Sequence, residues 1–113
     1  MTSIDTMVIG AGHAGLSVSR LLTRAGCSHV VLERGRVGER WRSERWDSLH
    51  LLTPNWMTRL PDRRYRGPDP DGFTSATDFA GILDQYAGTL DAPVLTDTSV
   101  LEESLSIVRA PQP

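Results

Sequence analysis

The sequence predicts an α/β fold, a parallel sheet that opens with a strand–helix–strand unit. Three observations predict it. An apolar run, Met7-Val8-Ile9, leads directly into the turn Gly10-Ala11-Gly12-His13-Ala14-Gly15. A helical pattern follows, with Ala14, Val18, Leu21, Leu22 and Ala25 at offsets 0, 4, 7, 8 and 11. A second apolar run, His29 to Leu32, then ends at an acid, Glu33, 23 positions after the first glycine.

A bare G-x-G-x-x-G carries little weight. Set between a strand and a helix, with an acid closing the next strand, it is the fingerprint of a Rossmann-like dinucleotide-binding unit. Gly10 lets the chain turn sharply out of the strand. Gly12 lets the backbone approach a pyrophosphate, and Gly15 lets the helix pack closely on the sheet. The helix N-terminus offers N–H groups and partial positive charge to the phosphates. Glu33 accepts hydrogen bonds from ribose hydroxyls. The competing reading is a glycine-rich turn without a ligand, with Glu33 and Arg34 a solvated surface pair.

The elements follow in order. Residues 3–9 form the first strand, residues 14–25 a helix ended by Gly26, and residues 29–32 a second strand parallel to the first. Residues 34–47 carry five Arg, three acids and two Trp, and read as a loop or broken helix. Residues 48–53 read as a short strand closed by Pro54, with His50 on its outward side. The Pro- and Gly-rich stretch 61–72 is a surface loop. Ser75 and Asp78 give a helix start signal, and Phe79, Ile82, Leu83, Tyr86 and Leu90 share the apolar face of the helix that follows. Pro93 ends it; Val94-Leu95 with Ser99-Val100-Leu101 suggest one further strand. Residues 1–101 are thus a partial Rossmann-like domain, and residues 102–113 a tail with no assigned element.

Length and composition bound the function. A chain of 113 residues supports one domain, and 39% hydrophobic with 23% charged residues fits a globular protein. A net charge of −2 gives no bulk reason to bind nucleic acid or membranes. No basic then apolar leader and no long apolar run occur, so the expected compartment is the cytoplasm. The single cysteine, Cys27, reads as a small buried thiol. Trp46 and Trp56 read as core aromatics, and no metal-ligating or catalytic set stands out. Few strands leave the sheet short, so an exposed edge and self-association into a homo-oligomer are expected.

The segments GAGHAGL, VVLERGRVGERWR, RWDSLHLLTPNWMTRLP and TSATDFAGILDQYA, in that order, resemble the start of flavin-dependent monooxygenases of the flavin-containing monooxygenase group. The resemblance implies an FAD-dependent oxidoreductase of monooxygenase type, with NADPH expected only for a full-length relative, whose second glycine motif is absent here. It implies that Gly10, Gly12, Ala14 and Gly15 meet the FAD diphosphate and that Glu33 and Arg34 meet the adenosine end. Gly38 and Trp41 would run along the flavin side of the pyrophosphate, with Arg40 or Arg42 supplying positive charge. Leu52 and Thr53 would line the flavin ring, Asn55 would offer a further polar contact, and Val100 would hold the adenine through its backbone. The substrate is an unidentified small molecule. Two alternatives stay open: an inactive FAD- or ADP-binding module, and an NAD-binding oxidoreductase domain.

Overall fold

The structure, a computed structural model, describes residues 6–43, 50–51, 53–101 and 106–109. The first strand, β1 (Thr6–Ile9), runs into helix α1 (His13–Arg24) and then β2 (His29–Leu32). The short helix α2 (Glu39–Ser43), helix α3 (Ala76–Ala87) and strands β3 (Val94–Leu95), β4 (Thr98–Leu101) and β5 (Ser106–Arg109) follow among the described residues. β1, β2 and β3 form a parallel sheet in that spatial order, with Thr6 opposite His29 and Val31 opposite Val94. The α/β class, the parallel strand–helix–strand unit and the incomplete sheet are therefore as expected.

Alternation along the strands assigns the faces. Val8 and Val31 join Leu16 of α1 and Phe79, Leu83 and Tyr86 of α3 in one buried cluster. Met7, Ile9, Val30 and Leu32 share the opposite face. There the central strand is covered while Ile9, on the outer strand, is 70% exposed. Among the described residues no strand pairs with the outer side of β1.

Several expectations are corrected. The apolar stripe read along α1 is mostly not its buried side: Ala14, Val18, Leu21 and Ala25 are exposed, Leu22 is half-buried and packs against the core, and Leu16 and Ser19 are fully buried. The close approach at Gly15 turns that flank of the helix inward, so a small residue decides the rotation ahead of hydrophobicity. Buried Ser19 is satisfied by His29, Oγ to Nε2 at 2.6 Å. The ring's Nδ1–H donates to the Cys27 carbonyl at 2.9 Å, which leaves Nε2 to accept from the serine hydroxyl. Cys27 itself is half-buried beside Thr6.

The single strand expected over 94–101 is two, in different sheets. Asp97 adopts a left-handed φ of 52°, and the bend lets β4 leave the parallel sheet to pair antiparallel with β5. The tail expected to lack an element therefore supplies a strand. Trp56, read as core, is 49% exposed on the turn after Pro54. Trp46 and residues 48–49 lie outside the described residues; nearby, His50 forms an isolated antiparallel bridge to Ser75. The start signal at Ser75 holds: its Oγ accepts from the Asp78 N–H at 3.1 Å, and α3 begins at the next residue. No helix among the described residues is long and apolar enough to cross a membrane.

Candidate functional site: a glycine-lined crevice

The carboxyl ends of β1 and β2 open onto a crevice of about 990 Å³, floored by the glycine turn and walled by Glu33 to Gly35, by α2 and by Thr98 and Ser99. Open α/β sheets hold ligands outside the carboxyl ends of their strands. The turn has the geometry its glycines permit. Gly10 takes a φ of +105°, disfavoured for any residue with a Cβ, and its N–H donates to the Leu32 carbonyl at 2.7 Å. A Cβ on Gly15 would overlap the Gly10 carbonyl oxygen, so helix and turn touch backbone to backbone there. A Cβ on Gly12 would meet nothing within 4 Å and would stand in the crevice. Gly15 is thus required by packing, and Gly12 leaves space for whatever enters.

Helix α1 begins without a cap. Gly12 occupies the N-cap position with no side chain to offer, and no acid lies in the first turn. The N–H groups of that turn are left to the crevice, together with the positive end of the helix dipole.

Glu33 organises the opposite wall. Its Oε1 accepts from the Ala11 N–H at 2.8 Å and its Oε2 from the Gly35 N–H at 2.7 Å. Its backbone carbonyl accepts from the Thr98 N–H at 2.8 Å, and the Ala11 carbonyl accepts from the Gly38 N–H at 2.9 Å. One half-buried acid therefore joins the glycine turn, the loop after β2 and the start of β4. Each carboxylate oxygen keeps a second lone pair for a hydroxyl group.

At the start of α2, Glu39 forms a bidentate pair with Arg36 of the preceding loop, whose Nε and Nη2 are each 2.9 Å from a carboxylate oxygen. The Arg36 guanidinium first, then the Arg36 backbone N–H, hold the Glu39 carboxyl down to about 2. Glu39 lines the crevice, and its pairing keeps a negative charge there from standing alone. Gly38, at a φ of +69°, lets α2 start against α3, where a Cβ would sit 3.4 Å from Ala80.

Of the residues expected to bind a ligand, Gly10, Gly12, Ala14, Gly15, Glu33, Arg34, Arg40 and Trp41 come together on this crevice. Trp41 also packs edge-on against Phe79, ring centres 5.1 Å apart, so core and crevice share it. Arg42 turns away, its Nε donating to the Val37 carbonyl at 3.1 Å and its guanidinium facing Asp84. Thr53 does not line the crevice; its hydroxyl pairs with that of Thr58 at 2.8 Å. Asn55 is buried and already used, donating to the Asp69 carbonyl and accepting from the Thr74 hydroxyl. Leu52 lies outside the described residues, and of Val100 only the strand backbone is described; its neighbours Thr98 and Ser99 reach the crevice.

Sequence reasoning missed Gly35, Thr98 and the Arg36–Glu39 pair. Only the last left a signal, opposite charges three apart at a helix start. His13, within the glycine turn, lines the crevice and also donates from Nε2 to the Arg59 carbonyl at 2.9 Å.

Comparison with known proteins agrees with this geometry. Residues 8–67 match the family described as NAD(P)-binding Rossmann-like domain. A CzcO-like oxidoreductase of Geobacillus kaustophilus is 34% identical over 99 residues, 87% of this chain and 28% of that protein. The indole-3-pyruvate monooxygenase YUCCA4 of rice, Oryza sativa subsp. japonica, is 38% identical over 82 residues, 72% of this chain and 18% of that protein. The flavin-containing monooxygenase of Stenotrophomonas maltophilia superimposes with a TM-score of 0.70 at 31% identity, over 88% of this chain and 30% of that one. The chain spans under a third of the length of these relatives. It belongs to the NAD(P)-binding Rossmann-like domain family, within which its relatives include flavin monooxygenases.

Proposed function

We propose that this chain is the FAD-anchoring part of an oxidoreductase of flavin monooxygenase type. One observation carries the reading: an uncapped helix N-terminus and an open Gly12 face the same crevice as Glu33. The residues fit the group. Gly10, Gly12, Ala14 and Gly15 would hold the diphosphate, Glu33 and Arg34 the adenosine end, and Arg40 and Trp41 the side toward the flavin. Backbone of the late strand at Val100 would meet the adenine, and Leu52 and Thr53 belong to the segment assigned to the flavin ring.

When bound, FAD supplies redox chemistry that no side chain can. This chain contributes binding, orientation and partial exclusion of water. NADPH and a small-molecule substrate belong to the reaction of a full-length relative, and a cytoplasmic location goes with the reading. The open side of β1 is proposed as a self-association edge.

A second reading is an NAD-binding domain, favoured by the description of the family that matches. A third is an FAD- or ADP-binding module without activity, favoured by the short span relative to the flavin monooxygenases. Titration with FAD, ADP and NAD, followed by flavin absorbance and thermal stabilisation, separates them. Saturable FAD binding that the Gly12→Val variant loses supports the first reading. Stabilisation by NAD alone overturns it. FAD binding without reduction by NADPH, in a chain joined to the remaining length of such a relative, leaves the inactive module.

A further inference from the structure

A second concavity of about 920 Å³ has a different chemistry from the glycine crevice. Arg59, Arg63, Arg64 and Arg66 line it together with the apolar Leu60 and Ile82. Among the described residues none of these four guanidiniums is paired with a carboxylate. The one acid on the groove, Asp62, is already engaged by Arg20 and Arg24. The cluster is not a consequence of composition, since the whole chain carries a net charge of −2.

The segment that carries these arginines is held at several points. Leu60 and Arg63 exchange backbone hydrogen bonds at 3.2 and 2.9 Å across Pro61-Asp62, with Asp62 at a left-handed φ of 66°. Proline followed by a residue of positive φ is the pattern of a tight type II turn. The buried Tyr86 hydroxyl on α3 donates to the Pro61 carbonyl at 2.6 Å, and His13 fastens the Arg59 carbonyl. Further along, Tyr65 Oη accepts from the Asp69 N–H at 2.9 Å. The backbone beneath the arginines is therefore positioned before any ligand arrives, which lowers the ordering cost of binding.

We propose that this groove is a second anion site, separate from the dinucleotide crevice, which takes the phosphate group of a small phosphorylated molecule. Guanidinium forks match phosphate oxygens two at a time. Several of them on one concave wall repel one another until a multiply charged anion arrives. Leu60 and Ile82 in the lining suit a small carbon skeleton attached to that phosphate, and the volume lies in the range of small-molecule sites.

The test uses the full chain titrated with inorganic pyrophosphate, read by amide resonances of Arg64 and Gly67 against those of Gly10 and Gly12. Saturable shifts at Arg64 and Gly67 are expected, persisting in Gly12→Val and weakened about tenfold or more in Arg63→Ala/Arg64→Ala. Arg66→Gln alone keeps the proposal testable should the double variant fold poorly, and a smaller loss is expected from it. Shifts confined to Gly10 and Gly12, shifts reproduced by sodium chloride at equal ionic strength, or variants that bind like the parent overturn it. Sedimentation with vesicles containing phosphatidic acid distinguishes a lipid headgroup from a soluble phosphate. No co-sedimentation is expected, and vesicle binding without pyrophosphate saturation overturns the small-molecule assignment.

Discussion

Glu33 accepts the Ala11 N–H at 2.8 Å, so the acid that closes the second strand directly braces the glycine turn that follows the first. A residue read from sequence as a ribose anchor is a structural strut even without a nucleotide. Its two roles predict two losses. Glu33→Ala should lower stability by roughly 1.5–3 kcal/mol, the range for hydrogen bonds to a charged group, visible as a lower Tm before any nucleotide is added. ADP affinity should fall further than that instability explains. An unchanged melting curve would show that the strut carries no load.

Gly12 and Gly15 should separate cleanly. A Cβ at Gly15 runs into the Gly10 carbonyl, so Gly15→Ala should destabilise the chain by about 1–3 kcal/mol through overpacking. A side chain at Gly12 enters open space, so Gly12→Val should keep the fold and lose diphosphate binding. Circular dichroism melts together with FAD titration read both arms. A reversed order of effects contradicts the geometry.

Ser19 is buried, and its hydroxyl is the donor for His29 Nε2 at 2.6 Å. Ser19→Ala leaves that ring nitrogen buried without a partner, and a loss of about 1–3 kcal/mol is expected from urea denaturation. A neutral outcome would mean that water reaches the ring.

Glu39 gives a pH dependence of definite sign. Its carboxyl is held by Arg36 down to about 2, from an ordinary 4.5. A lowered folded-state value stabilises above the ordinary one, so the contribution is full above about pH 4.5 and lost as pH falls through about 2. Protection factors at the start of α2, with the intrinsic pH dependence of amide exchange divided out, should fall as pH drops through that window in the parent and stay flat in Glu39→Gln. The pair is largely open to solvent, so salt should shrink the difference.

The outer side of β1 should associate with a second copy. Ile9 is 70% and Met7 41% exposed beside backbone that no described strand pairs. Concentration-dependent self-association is expected by sedimentation velocity, and Ile9→Lys should abolish it while preserving the fold, since edge charges block strand pairing. A parent that stays monomeric at every concentration removes the edge as an interface.

The residues by themselves determined the strand–turn–helix–strand unit, the acid at its end, the cap at Ser75 and the buried face of α3, because each is a local pattern. Spacing and turn chemistry act over a few positions, and no distant contact overrode them there. Tertiary structure alone decided which side of α1 faces the sheet, since the Gly15 approach outweighed the larger apolar stripe. It also decided that Val94 and Thr98 serve different sheets, that Asn55 is used internally, and that Glu33 reaches Ala11. Those outcomes depend on pairs of residues far apart in the chain, whose meeting is settled by packing and backbone hydrogen bonds and leaves no periodicity to read.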